Sequence, residues 1–238
     1  RWAHFRDKWD LDVTIKNSTN EIAMFAIQGP LAVDSIDALS PDSLSDLKRF
    51  TTTITTISGI TCTVSRTGYT GEDGFELLLS SNDAVTLWDA LDFPPCGLGS
   101  RDTLRTEMGF LLSGQDFNHQ TNPRTPFEAG VDFTVDLGQD FIGRDALLEL
   151  HSKELSLNFI GFSLSERSIP RPGSAILNDV GEQIGVVTSG TLSPTLDLPI
   201  GLGYVPPSYS SIGSSFQVAI RNSFKPATIC STPFINPQ

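Results

Sequence analysis

Arg66-Thr67-Gly68-Tyr69-Thr70-Gly71-Glu72-Asp73-Gly74-Phe75-Glu76 sets three glycines, three residues apart, around one tyrosine and three carboxylates. Glycines so spaced interrupt any regular element, so the stretch ends one strand and launches another. Two readings are open. It is a glycine-rich turn with its acids in solvent, or a loop whose bare backbone lets a flat ligand approach, with Tyr69 offering a ring and hydroxyl and Glu76 a carboxylate. Glu76 is the more informative acid. It stands between Phe75 and Leu77, so the two-residue period of a strand puts it opposite the core face, on a rigid element.

Upstream, β-branched residues dominate 52–67, with Ser58-Gly59 where a hairpin turns. Residues 21–28 read as a buried strand, ended by Gly29-Pro30, and Leu31, Ser35, Ile36 and Leu39 make the stripe of a following helix. Downstream, 75–79 is a strand. Ser81 or Asn82 caps a helix through Leu91 whose Val85, Trp88 and Leu91 face inward, and Pro94-Pro95 stops it. Residues 98–112 make the best helix. From Asn158 onward short apolar runs at 159–162, 175–177, 183–188, 200–205 and 216–220, parted by turn residues, predict a small all-β barrel or sandwich. A charged helix, 145–153, connects the halves.

Composition narrows the function. Sixteen basic against 28 acidic residues leave a net charge of −12, which opposes phosphate backbones and anionic membrane surfaces. Neither nucleic acid nor membrane is an expected partner. Cys62, Cys96 and Cys230 lie far apart and His4, His119 and His151 form no ligand pattern, so we expect no disulfide framework and no metal site. Gly97-Leu98-Gly99 starts a dinucleotide fingerprint, but Asp102 occupies the place of its third glycine. There is no Gly-Lys-Ser/Thr loop and no G-x-S-x-G elbow.

The second informative stretch is Cys96-Gly97-Leu98-Gly99-Ser100-Arg101-Asp102-Thr103-Leu104-Arg105-Thr106-Glu107-Met108-Gly109. On a helix Leu104, Met108, Leu111 and Leu112 form the apolar face, and Arg101 and Arg105, one turn apart, share another. Like charges so placed repel unless something anionic answers them. Asp102, three residues before Arg105, is one answer; a ligand carboxylate near the helix N-terminus is the other.

These blocks, with Glu128-Ala-Gly130, Asp140-Phe-Ile-Gly-Arg-Asp-Ala-Leu147, Gly185-Val-Val-Thr-Ser-Gly-Thr-Leu-Ser-Pro-Thr195, Gly203-Tyr204-Val205-Pro206 and Pro233-Phe234, stand in the order of one known family. The chain resembles the aminomethyltransferase, or T-protein, of the glycine cleavage system over essentially all 238 residues. The resemblance implies an α+β folate-binding aminomethyltransferase fold over residues 1–150, followed by a C-terminal β-barrel domain over 158–238. It implies transfer of the one-carbon unit from the aminomethyl-lipoyl arm of the H-protein to tetrahydrofolate as co-substrate, with release of ammonia and formation of 5,10-methylenetetrahydrofolate. Glu76 and Arg101 match the family's folate-binding glutamate and arginine, and Tyr69 a cleft tyrosine.

The resemblance also implies a longer parent. Family members carry roughly a further third of chain before the segment matching Arg1, with a catalytic aspartate in it, so no catalytic residue is assigned here and this chain alone is expected to lack full activity. Ser113-Gly114-Gln115-Asp116 and Phe133 depart from the family's usual residues. Another folate-dependent demethylase of the same fold, or a non-catalytic folate-binding assembly module, are the alternatives. The expected location is the cytoplasm, or the mitochondrial matrix in a eukaryote.

Overall fold

The computed structural model describes residues 2–236. They form two compact units: one holds the chain up to Gly68 together with Glu72–Pro95, the other Tyr69–Gly71 and the chain from Cys96 onward. Among the described residues no helix is long and apolar enough to cross a membrane.

The first unit begins with helix α1 (Trp2–Lys8) and is built on a four-stranded antiparallel sheet, ordered β1 (Ile22–Gln28), β4 (Gly74–Ser80), β3 (Ile60–Ser65), β2 (Thr52–Ile57). Alternation in β4 decides its packing. Phe75, Leu77 and Leu79 turn into a core with Ile27, Ile57, Cys62 and Val64, while Glu76 and Leu78 take the other face. Helix α2 (Ala32–Asp37) closes the core through Ala32 and Ile36. The β2–β3 turn falls at Ser58-Gly59, both with positive φ, 49° and 79°. That is the handedness a two-residue hairpin needs.

Several expectations for this unit are corrected. β1 is buried on one side only, since Ile22 and Met24 are about half exposed. Leu31 lies outside the α2 stripe and in solvent. Helix α3 (Ala84–Ala90) follows a short 3-10 turn capped by neither Ser81 nor Asn82; the Ser80 Oγ accepts from the Asn82 N–H at 3.2 Å. Its inward residue is Leu87, whereas Val85 and Trp88 are exposed, Trp88 meeting Phe25 edge to face. Leu91 does pack against the core. A helix of under two turns has room to bury one side chain fully, and the smaller Leu87 takes that place.

In the second unit helix α4 covers Leu98–Glu107 and so ends five residues before Leu112. Gly109, at φ +70°, turns the chain left-handed, and the Phe110 and Gly109 N–H groups donate back to the Arg105 and Thr106 carbonyls, a Schellman stop that no residue with a Cβ adopts cheaply. Leu111 and Leu112 therefore leave the helix. Helix α5 (Arg144–His151) precedes a closed six-stranded antiparallel barrel. Its strands are β5 (Asn158–Leu164), β6 (Ala175–Leu177), β7 (Gln183–Ser193), β8 (Leu198–Val205), β9 (Ser215–Ile220) and β10 (Ser223–Cys230), ordered β10-β5-β8-β7-β6-β9. β9 pairs with both β6 and β10, which closes the barrel and leaves no sheet edge. The expected barrel is present, with one strand more than the five apolar runs predict and with β7 longer. β10 was hidden because Phe224 and Pro226 interrupt the alternation of a strand whose inward residues are Ala227 and Ile229.

Candidate functional site

Glu76 lies where its strand parity placed it: half-buried on the outer face of β4, in register between Ala26 of β1 and Ser65 of β3. Among the described residues no side chain pairs with its carboxylate. The loop leading to it is braced. The Arg66 guanidinium holds Asp73 in a fork, Nε to Oδ1 at 3.1 Å and Nη2 to Oδ2 at 2.6 Å, and its Nη1 donates to the Ser45 and Leu47 carbonyls. The Arg66 side chain beside it holds the Asp73 carboxyl below the usual carboxylate range, and Arg66 is raised in turn. A Cβ at Gly68 would stand 1.9 Å from the Gln28 Oε1, so a larger residue there displaces the Gln28 side chain. The Gln28 amide meanwhile ties both sides of the loop, donating to the Thr67 and Phe75 carbonyls at 3.0 and 3.1 Å.

Tyr69 and Arg101 are brought together. The Arg101 guanidinium lies 4.7 Å from the Tyr69 ring centroid, a cation–π distance. Tyr69 is fixed from two further directions, by stacking on Phe110 at 5.6 Å and by donating its hydroxyl to the Leu111 carbonyl. Burial raises the Tyr69 phenol above its ordinary pKa, so it stays a donor. Arg101 is exposed, and among the described residues no carboxylate lies within ion-pairing distance of it.

Arg105 has the opposite fate. It is fully buried, and every arm of its guanidinium is used. Nε and Nη2 donate to Asp102 Oδ1 at 2.8 and 2.6 Å, Nη1 to Asp116 Oδ2 at 2.6 Å and to the Phe110 carbonyl at 3.0 Å, and Nη2 to Ser189 Oγ at 2.7 Å. Asp116 is completed by the Leu112 N–H at 2.8 Å and by the Thr188 and Ser189 hydroxyls at 2.5 and 2.7 Å. Glu107, two residues on, is also buried and accepts from Ser193 and Thr195. The buried side of α4 is thus polar, and it is keyed to β7 and the turn after it. Of two arginines one turn apart, Arg105 is consumed by the fold and Arg101 stays exposed, without a carboxylate partner among the described residues. Asp116, Ser189 and Glu107 escaped the reading of the sequence; the faint signal was Asp102 three residues before Arg105, since a guanidinium with one partner on its own helix has donors left for a second.

Family models match the chain in two places: the GCVT N-terminal domain over residues 1–139 and the glycine cleavage T-protein C-terminal barrel domain over residues 158–236. The chain belongs to the glycine cleavage T-protein family. It is 48% identical over 238 residues to a protein of Halobacterium salinarum named probable aminomethyltransferase, covering 99% of this chain and 65% of that one. An aminomethyltransferase of Chloroherpeton thalassium is 41% identical over 237 residues, with 95% and 64% covered. The chain thus spans about 65% of the length of the T-protein relatives it matches. A crystal structure of aminomethyltransferase T from Bartonella henselae shares the fold, with a TM-score of 0.71 at 22% identity over 92% of this chain and 87% of that one.

Proposed function

We propose that the protein acts as the aminomethyltransferase of the glycine cleavage system. In this reading it transfers the one-carbon unit from the aminomethyl-lipoyl H-protein to tetrahydrofolate, releasing ammonia and giving 5,10-methylenetetrahydrofolate. Family membership and the names of its relatives support the reaction class. The observation that carries the folate assignment is the division of labour on α4: an exposed arginine, stacked on a tyrosine and lacking a protein carboxylate, beside one spent entirely on the fold.

In this proposal Arg101 answers a carboxylate of the folate tail, a role for which a planar guanidinium already oriented by a ring is suited. Tyr69 holds that guanidinium. Glu76 accepts adjacent N–H donors of the pterin as a pair, which an unpaired carboxylate on a rigid strand does without rearrangement. The tetrahydrofolate nitrogen supplies the nucleophile that receives the carbon; the residues named here bind and orient. The proposed location is the cytoplasm, or the mitochondrial matrix in a eukaryote.

The test is tetrahydrofolate affinity, by fluorescence or calorimetry, in Glu76→Ala and Arg101→Ala. Each loses about tenfold or more, the equivalent of a charge-assisted hydrogen bond. Unchanged affinity in both sinks the assignment. Release of ammonia on supplying aminomethylated H-protein to the parent protein separates this reaction from demethylation of a small amine.

A further inference from the structure

Residues 231–236 leave β10 and run back across the end of α4. The register pair of Cys230 with Gly161 fixes where this tail starts, and the Phe234 N–H, donating to the Glu107 carbonyl at 2.8 Å, fixes where it crosses the helix. Between those two points the Thr232 side chain lies between two glycines. A Cβ on Gly109 would stand 2.7 Å from the Thr232 Cβ, and one on Gly161 would stand 2.5 Å from the Thr232 Cγ2 and 2.9 Å from the Phe234 ring. Neither glycine leaves room for a side chain, so the end of α4, the tail and β5 press on one another without slack.

The same corner carries part of the candidate site. Phe110 and Leu111, which hold Tyr69, directly follow Gly109: the Tyr69 ring stacks on Phe110 at 5.6 Å and its hydroxyl donates to the Leu111 carbonyl. Met108, just before Gly109, fills the space where Gly71 lacks a Cβ. The corner 108–111 is therefore gripped by the loop 69–71 and by the tail, and Arg101 lies over the Tyr69 ring, 4.7 Å from its centroid. All of these residues belong to one compact unit.

We propose that Thr232 and Phe234 are positioning residues for the site: by holding the 108–111 corner they set the Tyr69 ring, and with it the direction in which Arg101 presents its guanidinium. An exposed arginine samples many rotamers, and a ring held from behind limits them before a ligand arrives. The consequence for folate rests on the reading of Arg101 as its tail contact; the hold on Arg101 does not.

Arg101 supplies its own signal, because protons held over an aromatic ring are shifted upfield. In the ¹³C-labelled chain, Tyr69→Leu marks the position of the Arg101 δ-methylene resonance without the ring. Phe234→Ala is expected to move the resonance most of the way to that position, Phe234→Leu to leave it near the unsubstituted value, and Thr232→Ser, which deletes only the methyl at Gly161, to move it the same way by less. Tetrahydrofolate affinity should fall about threefold or more in Phe234→Ala and not at all when Arg101→Ala is already present, a coupling that general loosening of the fold does not produce. An Arg101 resonance unmoved in both Phe234→Ala and Thr232→Ser, or a change in affinity of equal size with and without Arg101, overturns the proposal. Unchanged affinity in Arg101→Ala by itself defeats the folate reading instead, and the resonance still decides whether the tail sets Arg101.

Discussion

Arg105 and Asp116 form an ion pair from which water is excluded on both sides: Nη1 stands 2.6 Å from Oδ2 and neither side chain is exposed. The pair fastens the last turns of α4 to the start of the loop that follows, and through Ser189 and Thr188 to β7. Such a pair is strongly destabilising to break and weak as a net source of stability, because each charge has given up its hydration.

Asp116→Asn, which leaves Asp102 as the sole counter-charge of the buried Arg105, is expected to destabilise the barrel-bearing unit by about 1–3 kcal/mol in urea unfolding. Arg105→Met combined with Asp116→Leu should cost less than Asp116→Asn alone. A double variant less stable than the single one would show that the pair contributes stability outright.

Asp73 predicts an acid-sensitive fork. Its folded-state pKa lies below the ordinary 3.8 because Arg66 binds the ionised form, so the unfolded chain binds the proton first. The contribution is full above the ordinary carboxylate pKa and is lost as pH falls through the depressed one. Stability measured from pH 6 down to 3 should therefore fall less steeply in Asp73→Asn than in the parent, and identical slopes would refute the linkage.

Ser58 occupies the first position of the β2–β3 turn at φ 49° and is exposed. Asparagine tolerates that conformation better than serine, and Asn-Gly is the preferred pair for such a turn. Ser58→Asn is expected to raise the urea midpoint, by a few tenths to about 1 kcal/mol in stability.

Gly71 combines a left-handed backbone, φ +84°, with the Met108 Sδ only 2.3 Å from where a Cβ would sit. Gly71→Ala should cost about 1–3 kcal/mol from strain and overpacking. Met108→Ala removes the steric part, so Gly71→Ala should cost less in a Met108→Ala background than in the parent; an equal cost in both would assign the whole effect to the backbone.

The period-two alternation of Phe75-Glu76-Leu77 was legible because a strand of known parity has only two faces, and one apolar face determines the other. The hairpin turn at Ser58-Gly59 and the barrel's short runs were legible through turn chemistry. Boundaries set by packing were not. Nothing local says that α3 buries Leu87 rather than Trp88, since both stripes satisfy helical spacing, and Gly109 becomes a helix stop through the left-handed geometry it takes and the Thr232 side chain 2.7 Å from its missing Cβ.

The sequence by itself determined the residue types: a glycine loop able to deliver Glu76 on a rigid strand, two arginines one turn apart, and a run of short strands fit for a barrel or a sandwich. Only the tertiary structure decided which arginine is available. Arg105 and Asp116 are eleven residues apart, and Arg105 and Ser189 are 84; no periodicity links such positions. Burial makes the choice, because a charge removed from water must find every partner within the fold, and the arginine left outside keeps its hydration.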